Sequence, residues 1–323
     1  MKVNIPGYGE QILHFAHQRS SRSDARPLLI AHGWPGSFLE SRKIIQPLTE
    51  PSSATSPAFH LIIPSIPGYG PGDPPANSGF GPVMTARAFN LLVVNVLGYE
   101  HYLTHGGDWG AFITRSMAMQ YPQRVLAQHL TFVPIGPPPW YRYPLVIGRL
   151  ILNSYIYSAA DKKSLERLQY YLKEQSGYLK QQSTRPQSLG FGLGDSPIGL
   201  LGWLIEKYHE WMDVEHYHMD RDETLAFVMM HWMQGATPGL RYYKAAYSEK
   251  YPSSVQQAFT IYNNVPTGVS HFPIDFVSPR DWVAAVVNIQ FWKDHDTGGH
   301  FPSVECPEKL VEDLRAFFSL YTV

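Results

Sequence analysis

The chain is poor in charge, cysteine and long apolar runs, and each shortage removes a class of protein. Charged residues make up 16% of its 323, against roughly 25% in an average globular chain, and they nearly cancel, to a net −1. Nothing in that balance recruits nucleic acid or an anionic membrane surface. A single cysteine, Cys306, excludes an internal disulfide and fits a reducing compartment. No window approaches the ~18 uncharged apolar residues of a membrane span, and the stretch from Met1 to Pro6 lacks the apolar core of a signal peptide. His209, Glu210, His216 and His218 lie near one another in sequence without a full metal-ligand spacing. The expectation is a soluble cytoplasmic protein with no membrane anchor, no metal and no cofactor.

What the chain does have is apolar and aromatic material, 44% and 14% of its residues, divided by glycine and proline. Residues 10–18 read as an early strand. Residues 27–31 form a continuous apolar run that enters His32-Gly33-Trp34-Pro35-Gly36-Ser37, and residues 59–64 repeat the pattern before another turn-rich exit. Such runs suit parallel strands buried on both faces. Residues 85–97 are helical, with Gly98 placed to cap the end. Strands then recur at 100–104, 126–133, 259–268 and 286–292, and an amphipathic helix over 307–321 closes the chain. Strands alternating with helices imply βαβ units and a mostly parallel central sheet.

Three consecutive prolines, Pro137 to Pro139, break this rhythm. From about 140 to 250 the chain is rich in Tyr, Trp, Met and His and reads almost wholly helical. Ser196 and Pro197 mark one helix start, with Leu201, Leu204, Ile205, Tyr208 and Met212 as its expected apolar face. A second helix covers about 224–233. The expected organisation is therefore an α/β core over 1–136 and 251–323, interrupted by a helical cap domain over 137–250.

The stretch around which the chemistry gathers is His105-Gly106-Gly107-Asp108-Trp109-Gly110. It stands between a strand and an apolar-periodic helix, the layout of a nucleophile elbow with Asp in place of Ser. A small acid there also serves as a plain helix N-cap. Four further features bear on the choice. His300, in Thr297-Gly298-Gly299-His300-Phe301, follows the last strand and completes the chain order nucleophile, acid, histidine. Asp275 follows the penultimate strand and is the candidate acid that fixes the histidine tautomer. Its rivals Asp294 and Asp296 are too close to His300 along the chain, and Asp281 suits a helix start. The backbone N–H groups of Trp34 and Trp109 are candidate oxyanion donors, and Trp34-Pro35 is a candidate cis peptide. Two tyrosine contexts stand out in the helical block, Ser176-Gly177-Tyr178 and Arg241-Tyr242-Tyr243-Lys244. An Asp nucleophile is ionised at neutral pH, needs no base to activate it and forms an ester with saturated carbon, leaving the histidine free to activate water. Halide and strained epoxide oxygen are suitable leaving groups, and neutral tyrosine hydroxyls suit the epoxide.

Taken together, His32-Gly33-Trp34-Pro35-Gly36-Ser37, Gly106-Gly107-Asp108-Trp109-Gly110, Ser176-Gly177-Tyr178, the run from Gly192 to Leu200, Val265-Pro266-Thr267-Gly268 with Phe272-Pro273, and Gly298-Gly299-His300-Phe301 form a specific set. Through them the chain resembles the microsomal-type epoxide hydrolases, including soluble fungal relatives, of the α/β-hydrolase superfamily, from about residue 8 onward. The resemblance implies an α/β-hydrolase fold and a cofactor-independent enzyme that turns a hydrophobic epoxide and water into a vicinal diol. By motif it implies Asp108 as nucleophile, His300 as water-activating base, Asp275 as its acid partner, and Tyr178 with Tyr243 as the oxirane-binding pair. The family usually carries a long segment ahead of the first strand, which here begins almost at Met1, and mammalian relatives have Glu where this chain has Asp275. A homodimer is one assembly open to such a chain. The competing readings are a haloalkane dehalogenase, which also favours Trp after the nucleophile but commonly has Asn at the position of Trp34, and a fold relative that binds a ligand without turnover.

Overall fold

The computed structural model describes residues 1–137, 157–247 and 259–321. A two-stranded antiparallel pair, β1 (Lys2–Ile5) and β2 (Gly9–Ile12), precedes the main sheet. That sheet is built from β3 (Phe15–Gln18), β4 (Arg26–Ala31), β5 (Phe59–Pro64), β6 (Tyr102–Gly106), β7 (Val125–Leu130), β8 (Asn263–His271) and β9 (Val287–Asp294). Their order is β3-β5-β4-β6-β7-β8-β9. Only the edge strand β3 runs antiparallel to its neighbour; the other pairings are parallel.

The continuous apolar runs follow from burial on two sides. In β4, Leu28 and Ile30 enter one core while Leu29 and Ala31 enter the other, because successive side chains leave a strand on opposite faces. Helices α1 (Arg42–Thr49), α2 (Pro82–Leu91) and α3 (Asp108–Gln120) cover the sheet. Ile44 and Leu48 of α1 join the first core, and Phe89 of α2 with Ile113 and Met117 of α3 join the second.

Between β7 and β8 the described chain is helical: α4 (Ala159–Tyr170), α5 (Gly177–Thr184), α6 (Pro186–Asp195), α7 (Pro197–Trp211), α8 (Arg221–Gln234) and α9 (Ala236–Ala246). These form a helical block inserted between β7 and β8 of the α/β core. The expected boundaries at 136/137 and 250/251 abut or fall within stretches outside the described residues. After β8 come α10 (Arg280–Val283), α11 (Pro302–Glu305) and α12 (Pro307–Phe318). Leu310, Leu314, Phe317 and Phe318 of α12 complete the core begun by α1.

Several expectations need adjustment. The early strand expected over 10–18 is two strands, because Leu13 turns into the core and the His14 ring bonds Ser65. The segment expected to be helical through Leu97 is α-helical to Leu91 and then widens into a π-turn over Leu92–Val96, ending at Gly98 with φ 78°. Strand β7 stops at Leu130; Val133 contributes only an isolated bridge to Val277. Ser196 does cap α7 by accepting from Gly199 N–H, and Leu204, Tyr208 and Met212 of the expected face are buried, but the inward side is turned toward Leu200 and Trp211. Leu200, Leu204, Lys207, Tyr208 and Trp211 point inward, while Ile205 is 45% exposed.

The helix that follows Asp108 is anchored from its far side by Arg115, which is fully buried. Its guanidinium donates to Val286 O and Ile261 O, at 3.2 and 3.0 Å, and burial pushes its pKa down to about 9. Arg115→Leu is expected to lower the unfolding free energy by about 2–4 kcal/mol, because the buried Val286 carbonyl and the part-buried Ile261 carbonyl lose their donors. Denaturant unfolding reads this directly, and an unchanged midpoint would show that the tether is dispensable.

Candidate active site

The carboxyl ends of β4, β6, β8 and β9 meet at one edge of the sheet, where open α/β sheets place their reactive loops. The chain leaves β6 through Gly106 and Gly107 and turns at Asp108, whose φ of 44° is the one positive value at a non-glycine among the described residues. Such strain persists only where the surroundings impose it, and here three glycines do so. A Cβ on Gly106 would lie 2.3 Å from Gly110 O, one on Gly110 would lie 1.9 Å from Ala31 O, and one on Gly33 would lie 2.2 Å from Asp108 Oδ1. Asp108 is the first residue of α3, and Gly107 occupies its N-cap position.

Trp34 N–H donates to Asp108 Oδ1 at 2.8 Å, and the Trp34-Pro35 peptide is cis. Trp109 N–H, in the first turn of α3, has no intrahelical acceptor open to it. On one side of the carboxylate stands His300, with Nε2 3.5 Å from Asp108 Oδ2. Its Nδ1 lies 2.7 Å from Asp275 Oδ1. That carboxyl oxygen also accepts from Phe276 N–H at 2.7 Å, which holds the acid in place behind the ring. Burial alone would lower the His300 pKa; the Asp275 charge, the bond to Asp275 and the nearby Asp108 carboxylate outweigh it and hold the imidazole well above its ordinary value. The rival acids are occupied elsewhere: Asp294 takes His271 and Asp296 takes Lys309.

Asp108 and His300 both wall a cavity of about 350 Å3 between core and cap, together with Trp109, Phe112, Phe132, Trp211, Phe276 and four tyrosines. Tyr178, from α5, stacks on Trp34 at 5.1 Å, and Tyr243, from α9, meets the edge of Trp109 at 4.7 Å. The two phenol rings are 6.0 Å apart. Tyr242 points elsewhere, with its hydroxyl 2.9 Å from Thr85 Oγ1. All five residues singled out by motif therefore converge.

Sequence reasoning missed other members of the site. Tyr171 bonds the Tyr178 hydroxyl at 3.0 Å, and Tyr247 completes the tyrosine wall; among 20 tyrosines neither has a distinguishing local pattern. Trp211 accepts the backbone N–H of His300 at its carbonyl, 2.8 Å away, and packs its ring 5.3 Å from the imidazole. Glu40 shares a small cavity with Asp108 and His300. Its only sequence signal is Gly36, four residues earlier.

Beneath the elbow a chain of hydrogen bonds crosses the sheet. Ser270 Oγ donates to Asp313 Oδ2 at 2.5 Å, so it must accept from His129 Nε2–H, 3.0 Å away. Burial holds His129 neutral, its pKa well below the ordinary value. Its bare Nδ1 therefore accepts from His105 Nδ1–H at 3.1 Å. His105, pushed by burial down to about 4, is left with an unprotonated Nε2. This histidine also lines the small cavity at Asp108.

The arrangement gathers a carboxyl in a strained turn, a histidine paired with a second carboxyl, and buried tyrosines around an apolar chamber. Two family models match the chain: one described as the alpha/beta hydrolase fold over residues 26–146, the other as the epoxide hydrolase N terminus over residues 1–41. The second match begins at residue 1, earlier than the motifs alone suggest. Epoxide hydrolase 1 of Sus scrofa is 34% identical over 330 residues, covering 95% of this chain and 72% of that protein. Among solved structures, the epoxide hydrolase of Aspergillus niger matches with a TM-score of 0.82 at 32% identity, over 99% of this chain and 78% of that one. The juvenile hormone epoxide hydrolase of the silkworm Bombyx mori matches with a TM-score of 0.86 at 27% identity, again over 99% and 78%. Among the described residues no helix is long and apolar enough to cross a membrane.

Proposed function

The chain belongs to the epoxide hydrolase family, and from that premise we propose that it opens a hydrophobic epoxide by forming an ester on Asp108, then hydrolyses that ester to a vicinal diol. One observation carries the route. Asp108 meets two unlike sets of groups at one tyrosine-lined cavity, which Asp108, His300, Tyr178 and Tyr243 all wall: the His300–Asp275 pair and the phenols.

In the first step the Asp108 carboxylate attacks an oxirane carbon. The carbon–oxygen bond breaks, and the oxygen takes a proton from Tyr178 or Tyr243, leaving a tyrosinate. The phenol pKa values are raised, first by burial and then by neighbouring tyrosines and the Asp108 charge. Both hydroxyls therefore stay protonated at neutral pH and donate without adding charge to the apolar chamber. In the second step water adds to Asp108 Cγ and gives one proton to His300. The oxyanion forms beside the N–H groups of Trp34 and Trp109. Collapse expels the diol oxygen, which takes the His300 proton, and the remaining carboxylic proton restores the tyrosine. Protons and charge return to their starting places.

This sequence contains its own timing. Asp108 is one of the charges that keep His300 protonated, and ester formation removes that charge. The imidazole pKa then falls and its proton passes to solvent, so the base is free when water must be activated; His300 takes a proton back from solvent when the Asp108 charge returns. Asp108→Asn mimics the neutral ester, and its His300 is expected to lose its proton at lower pH than the wild-type residue. Imidazole nitrogen NMR titration reads this, and identical titrations in the two proteins would contradict the coupling.

The activity itself is tested by incubating purified protein with aryl and alkyl epoxides and, in parallel, with haloalkanes. Diol formation that vanishes in Asp108→Asn supports the reading. Halide release without diol formation replaces it with dehalogenation, and epoxide binding without either product replaces it with a ligand-binding role.

A further inference from the structure

One carboxyl group outside the chemistry above reaches the reacting end of the site. Glu40 lies in the single turn Phe38–Ser41, directly after the His32–Ser37 loop, with its side chain folded back over that loop. A Cβ on Gly36 would sit 1.3 Å from Glu40 Oε1, so only glycine leaves the carboxyl its place. Part of the residue remains accessible, yet Oε1 itself is closed off from solvent and has no hydrogen-bond partner. His300 Nε2 is in the same condition. Both groups wall one cavity of about 30 Å3, shared with Asp108, Gly33, Trp34 and His105. By the usual measure a water molecule needs roughly 10–15 Å3 and several polar partners, so this cavity accommodates one or two. Buried polar atoms without partners cost stability, and these two belong to residues that wall the same cavity as Asp108.

We propose that Glu40 Oε1 and His300 Nε2 together hold the hydrolytic water against Cγ of the Asp108 ester, with Glu40 positioning the water for the second half-reaction. The inference rests on the ester route proposed above. Water oxygen bonds to Cγ while one proton passes to His300. The other stays on that oxygen, hydrogen-bonded to Glu40, until the ester bond breaks and the diol oxygen leaves. Glu40 exchanges no electrons and ends the cycle unchanged. Burial pushes its pKa up to about 8, with the nearby Asp108 charge adding to the rise and His300 opposing it.

The test separates the two half-reactions with an aryl epoxide in single-turnover experiments, following tryptophan fluorescence and the mass of the Asp108 peptide. Glu40→Gln and Glu40→Ala are expected to form the ester within about twofold of the wild-type rate. They should hydrolyse it about tenfold more slowly, the weight of one well-placed hydrogen bond, so that ester accumulates. Gly36→Ala, which keeps Glu40 but displaces its carboxyl, should give the same split. Glu40→Gln should also melt no lower than wild type at pH 8. Unchanged ester hydrolysis in all three variants overturns the inference. So does a parallel fall in both rates with a lower melting temperature, which marks a structural role. If neither wild type nor His300→Ala forms any ester, the ester route fails and the inference falls with it, a result distinct from normal ester formation with normal hydrolysis in the Glu40 variants.

Discussion

His300→Ala is expected to react once with an epoxide and then stop, carrying the opened substrate as an ester on Asp108. The first half of the route asks nothing of the imidazole. Asp108 attacks as a carboxylate, already oriented by the Trp34 N–H at 2.8 Å, and the tyrosines supply the proton. The second half depends on it, because water confined beside an ester is a poor nucleophile until a base takes its proton. Loss of a positioned general base costs about 10²–10⁴ in rate, enough for the adduct to approach one per protein. Intact mass followed by peptide mapping reads the outcome. Asp108→Asn should remain unlabelled, and sustained turnover by His300→Ala would remove His300 from the role assigned to it.

The second large effect belongs to the phenols. Tyr178→Phe and Tyr243→Phe are each expected to slow ester formation by about 10- to 100-fold, and the pair together by about 10³-fold or more, since each oxyanion-type donor typically contributes on that scale. Both rings are buried in aromatic contacts, with Tyr178 stacked on Trp34 and Tyr243 edge-on to Trp109. Removing the oxygens leaves that packing in place, and melting temperatures should change little. Tyr171→Phe, which removes the partner of the Tyr178 hydroxyl, should have a smaller effect, under about tenfold. The readout is the ester-forming phase of a single turnover; a double Phe variant that still forms ester at the wild-type rate would place the proton donor elsewhere.

The sheet and the three polar residues at its carboxyl edge were legible because their signals are local. A doubly buried strand writes itself as an apolar run, and an elbow writes itself as glycines around one acid. The orientation of α7 was not legible in that way. Leu201, Leu204, Ile205, Tyr208 and Met212 have helical spacing, but so do Leu200, Leu204, Tyr208 and Trp211. The choice between them is made by partners distant in sequence: Tyr208 donates to Pro35 O across 173 positions, and Trp211 lies against His300. Periodicity gives a helix an apolar side only to within about one residue, and the cap–core contact supplies the rest. Glu40 and Tyr171 were hidden for the related reason that their importance lies in what they face. The choice between Tyr242 and Tyr243 shows the same limit. Adjacent residues on a helix point about 100° apart, and the bond from Tyr242 to Thr85 turns one of them out of the chamber.

The hydrogen-bond chain from Asp313 through Ser270 and His129 to His105 has a spectroscopic consequence. Its direction is fixed at every link, so two ring N–H protons are locked in the dry interior of the sheet. Such protons resonate far downfield and exchange slowly with solvent, and in this chain they end at the wall of the cavity beside Asp108. The His105 signal is therefore a built-in gauge of that cavity. It should shift when the neighbouring carboxylate becomes an ester, reporting from inside the protein on a step that leaves no coloured product.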